Sequence, residues 1–313
     1  MLAMASKYRS PWIQLLVFIL FVAGIFMTLG AFGSLMVARM NGLSLTEVQK
    51  IISGEVPNPA ARNILAGMQI VQFLTLFFLP VLLFAFWADP KQPLKFTGIK
   101  KPWSAKYYLW AVLLFVVSVY ASGLLGFIND KIALPEELSK LEVKQGEAIK
   151  AMAVSHNISE LLVSIFLVGV LPAIGEELFF RGAAQRILIQ LTKSPWAGII
   201  ITSLLFSAIH LQFAGFLPRM FLGVVLGAIY WYSGSLWPGI LFHFIFNTFG
   251  VVIVYFNPEQ INKPEMIEAS RFGVIIWGSL GIAAVAYLLF LMKRNSKTDY
   301  NEVYPKKPEN PFY

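Results

Sequence analysis

The chain has 313 residues, 57% of them hydrophobic and 13% charged, against about a quarter charged in soluble domains. That balance excludes an ordinary soluble enzyme and predicts an all-α, polytopic membrane protein. There is no cysteine, which excludes a disulfide framework and a thiol nucleophile, and the net charge of +8 has to be judged by where the charges fall.

A spanning helix needs about 20 mostly apolar residues. Eight stretches are read as spans: Ile13–Ala38, Ile64–Ala88, Tyr107–Ile128, Leu161–Phe180, Pro195–Leu211, Leu217–Ser233, Leu236–Phe256 and Phe272–Met292. Lys7 and Arg9 precede the first, as in a signal peptide, but its apolar run exceeds the ~7–15 residues of a signal core, so an uncleaved span is expected. Residues 39–63 predict a short surface helix, with Ser44 and Glu47 as a capping box and Gly54 as its stop. The longest loop, 129–159, carries charges of both signs and a helix expected from Glu136. It reads as a solvated connector, with an interfacial lid as the alternative. Its Asn157-Ile158-Ser159 is a glycosylation sequon, meaningful only in a eukaryotic secretory cell.

The fifth and sixth stretches are short and poorly separated. Gly223 and Gly227, a GxxxG pair in the sixth, predict close helix packing rather than chemistry. Residues 1–292 therefore form a single transmembrane domain of about eight helices. The polar tail 293–313, with Pro305, Pro308 and Pro311, is expected to be disordered and cytoplasmic.

With the connections assigned to alternate sides, 15 of the 25 Lys and Arg fall on the side of both termini, where acids are few. The positive-inside rule then puts both termini in the cytoplasm, and a bacterial cytoplasmic membrane is the expected location. The basic excess is topological, so nucleic acid is not expected as a partner. Membrane lipid is.

Five ionisable residues, Glu176, Glu177, Arg181, His210 and His243, stand in or at the ends of these apolar runs. Each ionisable group there costs about 3 kcal/mol or more, which marks such residues as functional candidates. Glu176 and Glu177 are adjacent, so on an α-helix they diverge by about 100°, whereas Arg181 aligns with Glu177 four residues earlier. This predicts a Glu177–Arg181 ion pair that leaves Glu176 for chemistry. His210 has Phe206 one turn before it, and His243 has Asn247 one turn after.

Two chemistries suit this set. Glu176 could act as a general base on water, with His210 helping to hold that water and His243 and Asn247 donating to an oxyanion. Alternatively, Glu176, His210 and His243 could bind zinc with an open position for water, although H-E-x-x-H is absent. Zinc is the one cofactor this set would suit, and spacing does not decide between the two.

Glu176-Glu177-x-x-x-Arg181, Phe206-x-x-x-His210 and His243-x-x-x-Asn247, in that order and each in an apolar segment, resemble the three motifs of the CAAX-protease and bacteriocin-processing family of intramembrane endopeptidases. The core of the resemblance covers about 161–256. It implies an intramembrane peptidase whose site, inside the bundle, opens to the cytoplasm. It also implies Glu176 as base, His210 as water holder, His243 and Asn247 as the oxyanion site, and Glu177, Arg181 and Phe206 as supports. The family's particular substrates do not carry over: a peptide or protein is expected, with lipid-modified and membrane-bound ones among the candidates. The competing readings are a non-hydrolytic immunity or scaffold protein and a proton-coupled transporter. The full motif set weighs against the first, and the lack of an internal repeat against the second.

Overall fold

The computed structural model describes residues 10–52, 60–136, 138–139, 152, 154–257 and 271–304. In lipid a backbone must satisfy its own polar groups, and the described residues are accordingly helices and turns with no strand. The helices are α1 (Pro11–Met40), α2 (Leu45–Ile52), α3 (Ala61–Ala88), α4 (Pro93–Thr97), α5 (Lys106–Asn129), α6 (Ile158–Thr192), α7 (Pro195–Ala208), α8 (Phe216–Ser233), α9 (Trp237–Phe256), α10 (Arg271–Arg294) and α11 (Tyr300–Val303). Seven of these, α1, α3, α5, α6, α8, α9 and α10, are long and apolar enough to cross a membrane.

The fifth expected span, Pro195–Leu211, falls short. Helix α7 has 14 residues, roughly 21 Å at 1.5 Å per residue, against a hydrocarbon core of about 30 Å. It ends because Leu211 turns left-handed, with φ 54°, and the chain bends through Gly215 into α8. Helix α6 errs the other way. It continues to Thr192 rather than stopping near Phe180, so Arg181 and Arg186 lie on the helix and not in a cytoplasmic loop.

The local signals act largely as their chemistry suggests. Ser44 and Glu47 form the capping box of α2, through Ser44 N–H to Glu47 Oε2 at 2.8 Å and Glu47 N–H to Ser44 Oγ at 3.2 Å. Gly54 lies outside the described residues, as does most of the helix expected from Glu136. The Asn157 side chain caps α6 by accepting from Glu160 N–H, and Ser194 caps α7 ahead of Pro195. The tail expected to be disordered is partly packed. Helix α10 runs on to Arg294, Thr298 accepts from Trp103 Nε1 at 2.9 Å, and α11 follows. Residues 305–313 lie outside the described residues.

Contacts between connections sort the bundle into two ends. At one end the Gln14 and Gln190 side chains bond to each other, Leu236 N–H bonds Gly98 O, Trp103 N–H bonds Ser233 O, and the Tyr107 hydroxyl bonds Met292 O. Trp12, Trp103, Trp196 and Trp237 are exposed there, as in an interfacial aromatic belt. At the other end Arg62 Nη1 binds Glu160 at 3.0 Å, and Asn129 bonds both Phe213 O and Leu217 N–H.

Two apolar clusters hold the helices. Tyr107, Leu114, Ile229, Phe242 and Val285 join α5, α8, α9 and α10, while Phe18, Phe84, Leu178 and Ile187 join α1, α3 and α6. Helix α8 links the clusters through Tyr230, which packs with the second. Its face toward α6 and α7 is lined by Gly223 and Gly227. A Cβ on Gly223 would stand 2.9 Å from Ser203 Cβ, and one on Gly227 would stand 2.7 Å from Gln185 Oε1. The GxxxG pair thus does the packing expected of it.

A side chain at Gly227 has no room, so Gly227→Val should cost about 1–3 kcal/mol by overpacking. The check is a lowered thermal midpoint in detergent, against Gly123→Val, where a Cβ meets nothing within 4 Å and the midpoint should stay near that of the parent.

Candidate active site

The site forms where α6 changes its winding. The α-helical turn Leu171–Glu176 gives way at Glu177 to a π-helical stretch, Glu177–Ala184. Such wide turns are uncommon and concentrate at functional sites. Glu177 and Arg181 face into the bundle and are both fully buried, joined by Arg181 Nη1 to Glu177 Oε1 at 2.8 Å. Arg181 Nη2 donates to Gly223 O at 3.0 Å, which the bare backbone of α8 presents, and the guanidinium lies 4.8 Å from the Phe206 ring centre. The expected pair is therefore present, with a third and a fourth partner that spacing could not supply.

Glu177 has a further role. Its Oε1 also accepts from His243 Nδ1 at 3.1 Å, because a paired carboxylate can only accept. The opposite ring nitrogen, His243 Nε2, stands 3.8 Å from Glu176 Oε2. One imidazole thus lies between the two adjacent carboxylates. The two carboxylates diverge, as adjacent positions on a helix require, and His243 is wide enough to meet one with each nitrogen. Gly239 makes room on α9, since a Cβ there would be 3.3 Å from Glu177 Oε2.

His210 follows the end of α7, and its Nδ1 donates to Phe206 O at 2.7 Å, which leaves Nε2 as an acceptor in the neutral ring. The Phe206 ring carries both histidines, with centres 5.1 Å from His210 and 6.1 Å from His243. Asn247 lies one turn beyond His243 and gives one Nδ2 proton to Val168 O at 3.1 Å. Gly169 allows this approach of α6 to α9, its missing Cβ lying 2.6 Å from Thr248 Oγ1. The second amide proton of Asn247 is not used by that bond.

Glu176, Phe206, His210, His243 and Asn247 all line one cavity of about 780 Å³, whereas Glu177 and Arg181 lie behind its wall. The sequence reading omitted Gln69, Gln72, Gln212 and Arg219, which line it too. Arg219 carried the same signal as Arg181, a charge in an apolar run. It bonds Gln212 through O at 3.1 Å and Oε1 at 2.8 Å. The neutral glutamines gave no such signal.

For the zinc alternative, Glu176 and His243 approach each other to 3.8 Å, and among the described residues no group of three His, Asp or Glu side chains is placed to hold a metal ion.

Removing Arg181 strands a buried carboxylate, at a cost of about 3–5 kcal/mol. Arg181→Ala should therefore lose thermal stability in detergent, while Glu176→Gln, at the cavity wall, should melt close to the parent. Equal midpoints for parent and Arg181→Ala would show that the pair does not hold the fold.

The comparisons with curated proteins and with solved structures return no match for this chain. Residues 158–249, which contain every motif residue above, match the family described as Rce1-like, type II CAAX prenyl endopeptidase Rce1-like, so the resemblance carried by the three motifs holds for that segment, and that family implies a protease.

Proposed function

We propose that this integral membrane protein is an endopeptidase in which Glu176 activates water inside the bundle. The observation that carries the reading is the convergence of Glu176, His210, His243 and Asn247 on one cavity while Glu177 and Arg181 stay buried behind it. Glu176 takes a proton from water, and the resulting hydroxide attacks the carbonyl carbon of the scissile peptide. His210 accepts a hydrogen bond from that water through Nε2, the nitrogen left free by its bond to Phe206 O. The carbonyl oxygen becomes an oxyanion that takes hydrogen bonds from His243 Nε2 and the second Nδ2 proton of Asn247. As the C–N bond breaks, the proton held by Glu176 passes to the departing amine.

His243 donates to Glu177 from Nδ1, so a donor at Nε2 as well must be the imidazolium. The ring stands between the two glutamates, and Arg181 pairs with Glu177. Glu177 and Arg181 thus orient the histidine without touching the substrate. Substrate is a peptide or protein held at the membrane, with or without a lipid group. The apolar lining supports such a ligand, with few polar groups among its walls. The excess of Lys and Arg on the side of the termini supports an orientation with both termini inside.

Purified protein should cleave a peptide substrate, and Glu176→Gln should abolish that cleavage while folding normally. His243→Ala and Asn247→Ala should each lower turnover about 10²–10³-fold, the usual scale for one oxyanion donor. Hydrolysis unaffected by Glu176→Gln would remove the mechanism. Binding of a partner without any hydrolysis would favour the immunity or scaffold alternative.

Chelation should leave turnover unchanged. Near-stoichiometric zinc, with activity lost on chelation and restored by the metal, would instead make Glu176, His210 and His243 ligands and overturn the metal-free mechanism.

A further inference from the structure

The cavity has a direction. Its floor is set by Glu176, His243, Phe77 and Leu226, and from there its wall runs toward one end of the bundle only. On α9 the lining starts at Phe242 and His243 and continues through Asn247 to Val254, two residues before the helix ends. On α3 it includes Gln72 and Gln69, which lie roughly 16 and 12 Å from Ala61 at 1.5 Å per residue. Gln212, Pro218 and Arg219, in and just after the turn between α7 and α8, complete the rim together with Met152 of the long loop. These features belong to the end where Arg62 binds Glu160 and Asn129 binds Phe213 and Leu217. The opposite end is closed. None of the connections joined by the Gln14–Gln190, Gly98–Leu236, Trp103–Ser233 and Tyr107–Met292 contacts contributes a lining residue.

The closed end is also the basic one. It carries Lys91, Lys95, Lys100, Lys101 and Lys193 in its connections, Lys106 at the start of α5, Lys293 and Arg294 in the last turn of α10 and Lys297 beyond it, with Asp89, Asp299 and Glu302 as the acids. Basic residues in short connections stay in the cytoplasm. The mouth, at the other end, then faces outward. This departs from the cytoplasmic opening that the family resemblance implies, and it follows from the position of the cavity and the charge asymmetry taken together.

We propose that the cavity is reached from the extracytoplasmic side of the membrane, so that its substrates are peptide segments exported across the membrane or anchored with their cleavable part outside, and not the tails of cytoplasmic proteins. The word substrate rests on the peptidase reading; the side of access does not. Gln212 and Arg219 stand at the rim, so a segment entering there passes one cation and several amides before it meets the apolar walls around Glu176.

The absence of cysteine from the chain makes every introduced cysteine a sole reporter. A membrane-impermeant maleimide applied to intact cells should label Gln212→Cys at the mouth and Asp130→Cys beside it, and should label Lys101→Cys only after permeabilisation. Gln69→Cys serves as the mouth reporter if loss of the Gln212–Arg219 contact prevents accumulation of the first variant. Labelling of Lys101→Cys in intact cells with the mouth reporters protected would overturn the proposal. Labelling of both ends from one side, or a mouth that reacts under neither condition, would do so as well. Hydrolysis plays no part in this readout. An inactive protein labelled as expected would end the peptidase reading alone, and an active protein labelled in reverse would end the access proposal alone.

Discussion

The structure depends on a charge that cannot be left alone. Glu177 is fully buried, and a lone carboxylate in such a place would be far more costly than any single contact around it could offset. Three elements converge to meet that demand. Arg181 comes from the next turn of the same helix, His243 from α9, and α8 contributes through the carbonyl of Gly223, which takes the remaining arm of the arginine. The cluster therefore fixes the mutual position of α6, α8 and α9. A buried ion pair is a poor source of net stability compared with apolar packing. Its effect here is positional: it sets the tilt of one imidazole, whose other nitrogen faces the cavity beside Glu176.

Helix packing serves the same end by omission. Gly223, Gly227 and Gly239 have no side chains at the points where α8 and α9 meet the polar groups of α6, so backbone oxygens and carboxylates can approach. Gln185 repeats the arrangement one turn beyond Arg181, with Nε2 on Gly227 O at 3.1 Å. Polar side chains of one helix thus bond the backbone of another in place of water, as a membrane interior requires.

Much of this was legible in the order of residues. Charge in an apolar run is conspicuous, so Glu176, Glu177 and Arg181 announced themselves, and the i,i+4 rule paired the last two correctly. The position of His243 between both glutamates was not legible. It requires the winding change at Glu177 and the approach of α9 in three dimensions, and no one-dimensional spacing encodes either. The length of α7 was misjudged because Ile209 and Leu211 are apolar and continue the hydropathy of the helix, while the backbone has already turned at Leu211. The cavity rim was missed for the opposite reason. Gln69, Gln72 and Gln212 are uncharged and carry little weight in a composition count, yet they give the mouth its polar lining.

The shortness of α7 has a consequence for the lipid around the protein. A helix of roughly 21 Å leaves about 9 Å of the hydrocarbon layer uncovered on the side of the mouth. Bilayers answer such a mismatch by thinning locally. Where the bilayer thins around α7, the leaflet over His210 and Gln212 lies nearer the polar residues of the cavity. Under the proposed mechanism, water then has less hydrocarbon to cross on its way to Glu176, and a peptide segment has less to leave behind. The thickness of the host membrane becomes a parameter of the site, set by where one helix stops.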